Sequence, residues 1–125
     1  MKLVGCLVFL LMAIAGASQP QELHGLSYVS GNALFERCEK FGSDREYPPD
    51  EAQKLQADIG FCQGYIVAKL ESTSVLGDSC PSKGVTQHQA VTVVVKYLTE
   101  HPELRDRSAH WLVYKALSGA FPCSK

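Results

Sequence analysis

Residues Asp50–Leu70 read DEAQKLQADIGFCQGYIVAKL. Ala52, Leu55, Ile59, Cys62, Ile66 and Leu70 recur at three- and four-residue spacing. Only an α-helix places such a series on one face, and this stripe runs for more than four turns. Asp50 followed by Gln53 predicts a capping box at the start. Gly60 and Gly64 sit one turn apart, and each costs about 1 kcal/mol against alanine in a helix. The expected return is the close approach of a neighbouring backbone. Gly77 and Asp78 mark the loop that follows.

Further helices flank this one. Toward the N-terminus, Asn32 is a good N-cap, with Leu34, Phe35, Cys38 and Phe41 on one face. Gly42 and Ser43 end that helix, and Pro48 and Pro49 keep the loop from Asp44 out of the next one. Toward the C-terminus, Thr86 and Gln89 form a capping box, and Val85 can staple onto Ala90. The run Val91–Leu98 is rich in β-branched residues and taken alone would suit a buried strand. The capping box and the stripe Val91, Val94, Val95 and Leu98 favour a helix, which Pro102 stops. A last helix starts near Ser108, with Ala109, Leu112, Val113, Ala116, Leu117 and Ala120 on its apolar stripe. Gly119 and Pro122 bracket its end. The fold class is all-α: a compact bundle of about four helices.

The first residues speak to compartment. Lys2, the apolar run Leu3–Ile14 and the small residues Ala15-Gly16-Ala17 form the pattern of a cleaved signal peptide over residues 1–17. The run is shorter than the roughly 20 residues a membrane span needs. Residues 18–29 read as a flexible lead segment and 30–125 as the domain. Without the leader, eleven basic and thirteen acidic side chains remain, and no basic stripe points to nucleic acid. No second apolar run points to a membrane.

Cys38, Cys62, Cys80 and Cys123 then remain, an even number in an exported chain, which reads as two disulfides. Close ligand pairs of the C-x-x-C kind that zinc would need are absent. Antiparallel packing of the last two helices brings Cys80 toward Cys123 and leaves Cys38 for Cys62. Cys62 lies well along its helix, so a bridge from Cys62 to Cys80 stays open.

No nucleophile, base and orienting group assemble into a catalytic site, and no cofactor motif occurs. Cys62 with His88 or His110 is the one conceivable thiol dyad, and Cys62 falls on the core stripe instead. His101 closes the last turn of its helix, where partial positive charge is favourable. Two loops carry acids, Asp44–Glu51 and Glu100–Asp106. The second, read on to Arg107, mixes both charge signs around Leu104, as suits a specific protein contact. Glu100, His101, Glu103, Leu104, Arg105, Asp106 and Arg107 are therefore the candidate partner-binding residues. Tyr28, Tyr65, Tyr97, Trp111 and Tyr114 are further contact candidates, though aromatics at helical spacing more often belong to the core or its rim.

Ser30-Gly31-Asn32-Ala33-Leu34-Phe35-Glu36-Arg37-Cys38 resembles the opening motif of the Rap/Tai immunity proteins. Phe61-Cys62-Gln63-Gly64-Tyr65-Ile66 is similar to their C-x-G-Y-I signature. So are Cys80-Pro81, Gly84-Val85-Thr86 and Val93–Leu98 to their next block, then His101-Pro102-Glu103 and finally Ala120-Phe121-Pro122-Cys123. The resemblance covers Ser30 to Cys123. It implies a helical periplasmic protein without enzymatic activity that binds and blocks a peptidoglycan amidase effector of the type VI secretion system. It also implies frequent homodimers and, in some members, a loop in the effector's cleft. It supports a helix for Val91–Leu98 and leaves the disulfide pairing open. With Glu100–Arg107 as the inhibitory tip, replacing Glu103, Arg105 and Asp106 by alanine is expected to weaken binding without unfolding the domain.

Overall fold

The computed structural model describes residues 29–124, so the expected leader and almost all of the lead segment lie outside the described residues. Four α-helices follow one another: α1 (Gly31–Cys38), α2 (Pro49–Leu76), α3 (Gln87–Glu100) and α4 (Ala109–Ala120). A single 3-10 turn, Pro102–Leu104, joins α3 to α4. No helix among the described residues is long and apolar enough to cross a membrane.

Every helix packs against each of the others. Leu34 and Cys38 from α1, Cys62 and Ile66 from α2, Val91, Val94 and Leu98 from α3, and Leu112, Val113 and Leu117 from α4 form one buried core. Each fully buried leucine or isoleucine contributes about 1.5–3 kcal/mol relative to exposure.

Val91–Leu98 is helical, and the capping box that argued for this is in place. The Gln89 N–H donates to Thr86 Oγ1 at 3.2 Å, and the Thr86 N–H donates to Gln89 Oε1 at 2.8 Å. α4 begins after Ser108, as expected, although Ala120 at its far end is exposed.

Two helix starts differ from expectation. α1 is capped by Ser30, whose Oγ accepts from the Ala33 N–H at 3.2 Å. Asn32 falls inside the first turn, and its backbone N–H donates to the carbonyl of Arg105 at 2.7 Å. α1 then ends at Cys38, and a turn continues to Gly42, which sits at φ +76°. α2 begins at Pro49, and no side chain caps it. Proline suits this place, since it has no N–H to leave unsatisfied and its φ is already helical. Asp50 lies in the first turn beside Glu51, where both carboxylates complement the helix dipole.

α2 is 28 residues long, about 42 Å, while its partners have between 8 and 14 residues. Its first part stays outside the core: Cys62, Ile66 and Thr73 are fully buried and Leu70 packs half-buried against the core, whereas Ala52, Leu55 and Ile59 are half-buried at its margin. The expectation for Gly60 and Gly64 is overturned. A Cβ at either position meets nothing within 4 Å, because both glycines face outward. The close-approach glycine is Gly31. A Cβ there would lie 2.8 Å from the Arg105 carbonyl oxygen and 2.9 Å from its Cα, and would run into the Leu112 side chain.

The cysteines pair as Cys38–Cys62 and Cys80–Cys123, with Cα separations of 5.3 and 4.8 Å. The loop after α1 is long enough to lay that helix beside the middle of α2, which is how Cys62 comes within reach. The first bridge is wholly buried, and the second lies at the surface, with Cys80 exposed.

Candidate partner-binding loop

The loop Glu100–Arg107 is built around backbone donors of α1. A helix start leaves four N–H groups without intrahelical partners. Here the Gly31 N–H donates to the Arg107 carbonyl at 2.8 Å and the Asn32 N–H to the Arg105 carbonyl at 2.7 Å. The Ala109 N–H donates to the Val29 carbonyl at 2.7 Å, and Ser30 and Ser108 face each other in an antiparallel bridge. The absence of a side chain at Gly31 is what lets the two segments meet.

The far end of α3 is tied to the same loop through Arg105. Its Nε donates to the Leu98 carbonyl at 2.6 Å and its Nη2 to the Thr99 carbonyl at 3.4 Å. A cation is favourable against the last carbonyls of a helix. The guanidinium also lies over the Phe35 ring, 3.6 Å from its centroid. Leu104 packs, half-buried, against the core. Of the seven predicted binding residues, Leu104 and Arg105 are thus occupied inside the molecule, and alanine at Arg105 would disturb the fold as well as any contact.

The other five face water to differing degrees. Glu100, Glu103, Asp106 and Arg107 are exposed, and His101 is half-buried. Glu100 lies 3.8 Å from Lys96, one turn back on α3. The His101 ring packs on Tyr97, with centroids 4.5 Å apart, and its Nδ1 lies 3.2 Å from Glu103 Oε1. The Glu103 carboxyl is held below its ordinary range, first by a hydrogen bond from its own backbone N–H and then by the His101 ring. Asp106 has no ion pair among the described residues. The result is a loop with a fixed backbone and an acidic outer edge.

Elsewhere the predicted candidates separate. Cys62 is bonded to Cys38, so the thiol dyad with His88 or His110 does not exist. His88 packs against Phe41, with ring centroids 5.0 Å apart. Tyr65, Tyr97 and Tyr114 are half-buried, and Tyr28 is outside the described residues. Burial raises the Tyr65 phenol above its usual range. Sequence reasoning missed Ser30 and Gly31 as the seat of the loop. The only available signal was their place just before Asn32, where serine and glycine are common helix-start residues.

A protein-family model described as Rap1a immunity proteins matches residues 30–123. The chain belongs to this family. The match spans all four helices, both disulfides and the whole of the Glu100–Arg107 loop. No curated protein and no solved structure matches the chain. Membership in the Rap1a immunity family makes this an immunity protein, whose partner is a cognate effector.

Proposed function

We propose that this Rap1a-family protein is exported to the periplasm after loss of residues 1–17, and there binds and inhibits a peptidoglycan amidase effector delivered by type VI secretion. The reading rests on family membership and on one structural observation: an acidic loop held at both ends by a disulfide-stapled frame. A loop that is ordered before binding loses less entropy on entering a cleft. Glu103 and Asp106 present their carboxylates outward, and Glu100 and His101 flank them, so the edge suits competition with substrate for a cleft. Two disulfides accord with an oxidising compartment. The family resemblance adds a second copy of this chain as a further partner, which sedimentation of the mature protein measures.

The test is titration calorimetry of the oxidised mature domain against the amidase-like product of the neighbouring gene, with peptidoglycan hydrolysis followed in parallel. Nanomolar binding with loss of hydrolysis is expected. Glu103→Ala with Asp106→Ala is expected to weaken it at least about tenfold while changing the thermal midpoint little, since neither carboxylate is buried. A well-folded amidase that neither binds nor slows would remove the inhibitory reading. It would turn attention to a general periplasmic binding role, for which the exposed Val75 and Leu76 are the relevant surface.

A further inference from the structure

Trp111 lies off the apolar stripe of α4 and is 38% exposed. Trp111 and Lys115 lie one turn apart on one side of α4, and Arg107 stands just before the helix and reaches the same ring. The Arg107 guanidinium is 5.4 Å from the Trp111 ring centroid and the Lys115 ammonium 5.8 Å from it. Beside this group, Lys69 reaches over from α2. Its Nζ donates to His110 Nε2 at 3.0 Å and lies 5.6 Å from the Tyr114 ring centroid.

Among the described residues, the cations of this face form no ion pair. Among the described residues, Arg37, Lys54 and Lys96 each meet a carboxylate, whereas Lys69, Arg107 and Lys115 meet none. They lie near aromatic rings instead. Tryptophan, tyrosine and arginine are the residue types that dominate binding energy at protein interfaces. Cations already positioned on rings also have less side-chain freedom to lose when a partner arrives.

We propose that the face formed by Arg107, Trp111 and Lys115, with Lys69 beside them, is a contact surface for the acidic rim of the effector protein. This rests on the inhibitory reading above and extends it. Arg107 closes the Glu100–Arg107 loop and belongs to the basic group, so the two surfaces are continuous. The combined surface is bipolar: carboxylates at the loop edge, cations along α4. A partner must then match both signs in order, which fixes its orientation and speeds its encounter.

Trp111 is the only tryptophan in the chain, so 5-fluorotryptophan labelling yields one 19F resonance from this face. The experiment titrates the labelled mature protein with the unlabelled amidase-like product of the neighbouring gene. The resonance is expected to shift on binding. Lys69→Glu with Lys115→Glu is expected to slow association about tenfold at low salt and to flatten its salt dependence. Trp111→Ala is expected to speed dissociation by about tenfold or more. Unchanged circular dichroism in each variant separates these effects from misfolding. A resonance that stays put while the effector is saturated, or association unaltered by the double reversal, overturns the proposal and leaves the inhibitory loop standing. A resonance that moves with phosphatidylglycerol vesicles but not with the effector gives the face to a membrane surface, and overturns it too. An effector that the unaltered protein does not bind removes both readings together.

Discussion

The loop from Glu100 to Arg107 and the outward face of α2 around Gly60 and Gly64 behave in opposite ways. The loop is charged, contains a proline and has one short 3-10 turn, yet carbonyls at two of its residues accept from α1 and Arg105 closes α3. The α2 segment is regular helix, yet beyond its own turns nothing lies within 4 Å of where its glycines would carry a side chain. Regular secondary structure and dense tertiary contact are separate properties. Here the irregular segment is the one more firmly built into the molecule.

Substitutions can break this contrast, and the largest effect is expected at Gly31. Gly31→Ala would push a Cβ against the Arg105 backbone and the Leu112 side chain. Overpacking of this kind costs about 1–3 kcal/mol or more, read as a drop in the urea midpoint. Faster amide exchange at Gly31 and Asn32 should accompany it. An unchanged midpoint would mean that the loop is not seated on α1.

Arg105→Ala comes next. It removes two hydrogen bonds to helix carbonyls and a stacked cation, together about 1–3 kcal/mol. Arg105→Lys should recover little of this, because an ammonium lacks the planar fork that spans two carbonyls and the flat face that stacks on Phe35. Full recovery by lysine would show that charge alone matters there.

Gly60→Ala and Gly64→Ala should act in the other direction. With open space at both sites, each is expected to raise stability by roughly 0.5–1 kcal/mol through better helix propensity. A loss of stability that grows with protein concentration would instead reveal a second backbone lying on this face.

The smallest effect concerns Glu103. Its carboxyl pKa is lowered in the folded protein, so its contribution is present above the unfolded value and is lost as pH falls through the folded one. A carbon-detected NMR titration should place its midpoint below those of ordinary exposed carboxylates, and His101→Ala should move it back toward them. A midpoint in the ordinary range would mean that the tip of the loop is looser than its base.

Much of this fold was legible in residue order. The stripe of α3, that of α4 apart from Ala120, the Thr86–Gln89 box and the start after Ser108 depend on neighbours a few positions apart, and the structure has them. The family motifs, all four cysteines among them, also stood in order. Antiparallel packing of the last two helices points to Cys80–Cys123 and so to Cys38–Cys62, but the order of residues leaves Cys62–Cys80 open, and only the structure decides between them. The start of α1 lies earlier than the N-cap residue Asn32 suggests, because Ser30 caps it and the first-turn N–H groups of Gly31 and Asn32 meet carbonyls more than seventy residues away. Gly60 and Gly64 were given a packing role because periodicity identifies a helix face but not whether anything lies on it. For the same reason Arg105, grouped with its charged neighbours, showed no sign that its guanidinium turns inward.

The seating of α1 has a consequence for the order in which the chain can finish folding. α1 is the first of the four helices to emerge, and its bridge to Cys62 can close once the first half of the domain has been delivered. The N–H groups of Gly31 and Asn32 must wait for the carbonyls of Arg107 and Arg105. So the first of the four described helices can carry a covalent link before these two N–H groups meet their carbonyls. The segment proposed to meet the effector is therefore also the one that satisfies the start of α1, and a chain interrupted before it would lack both.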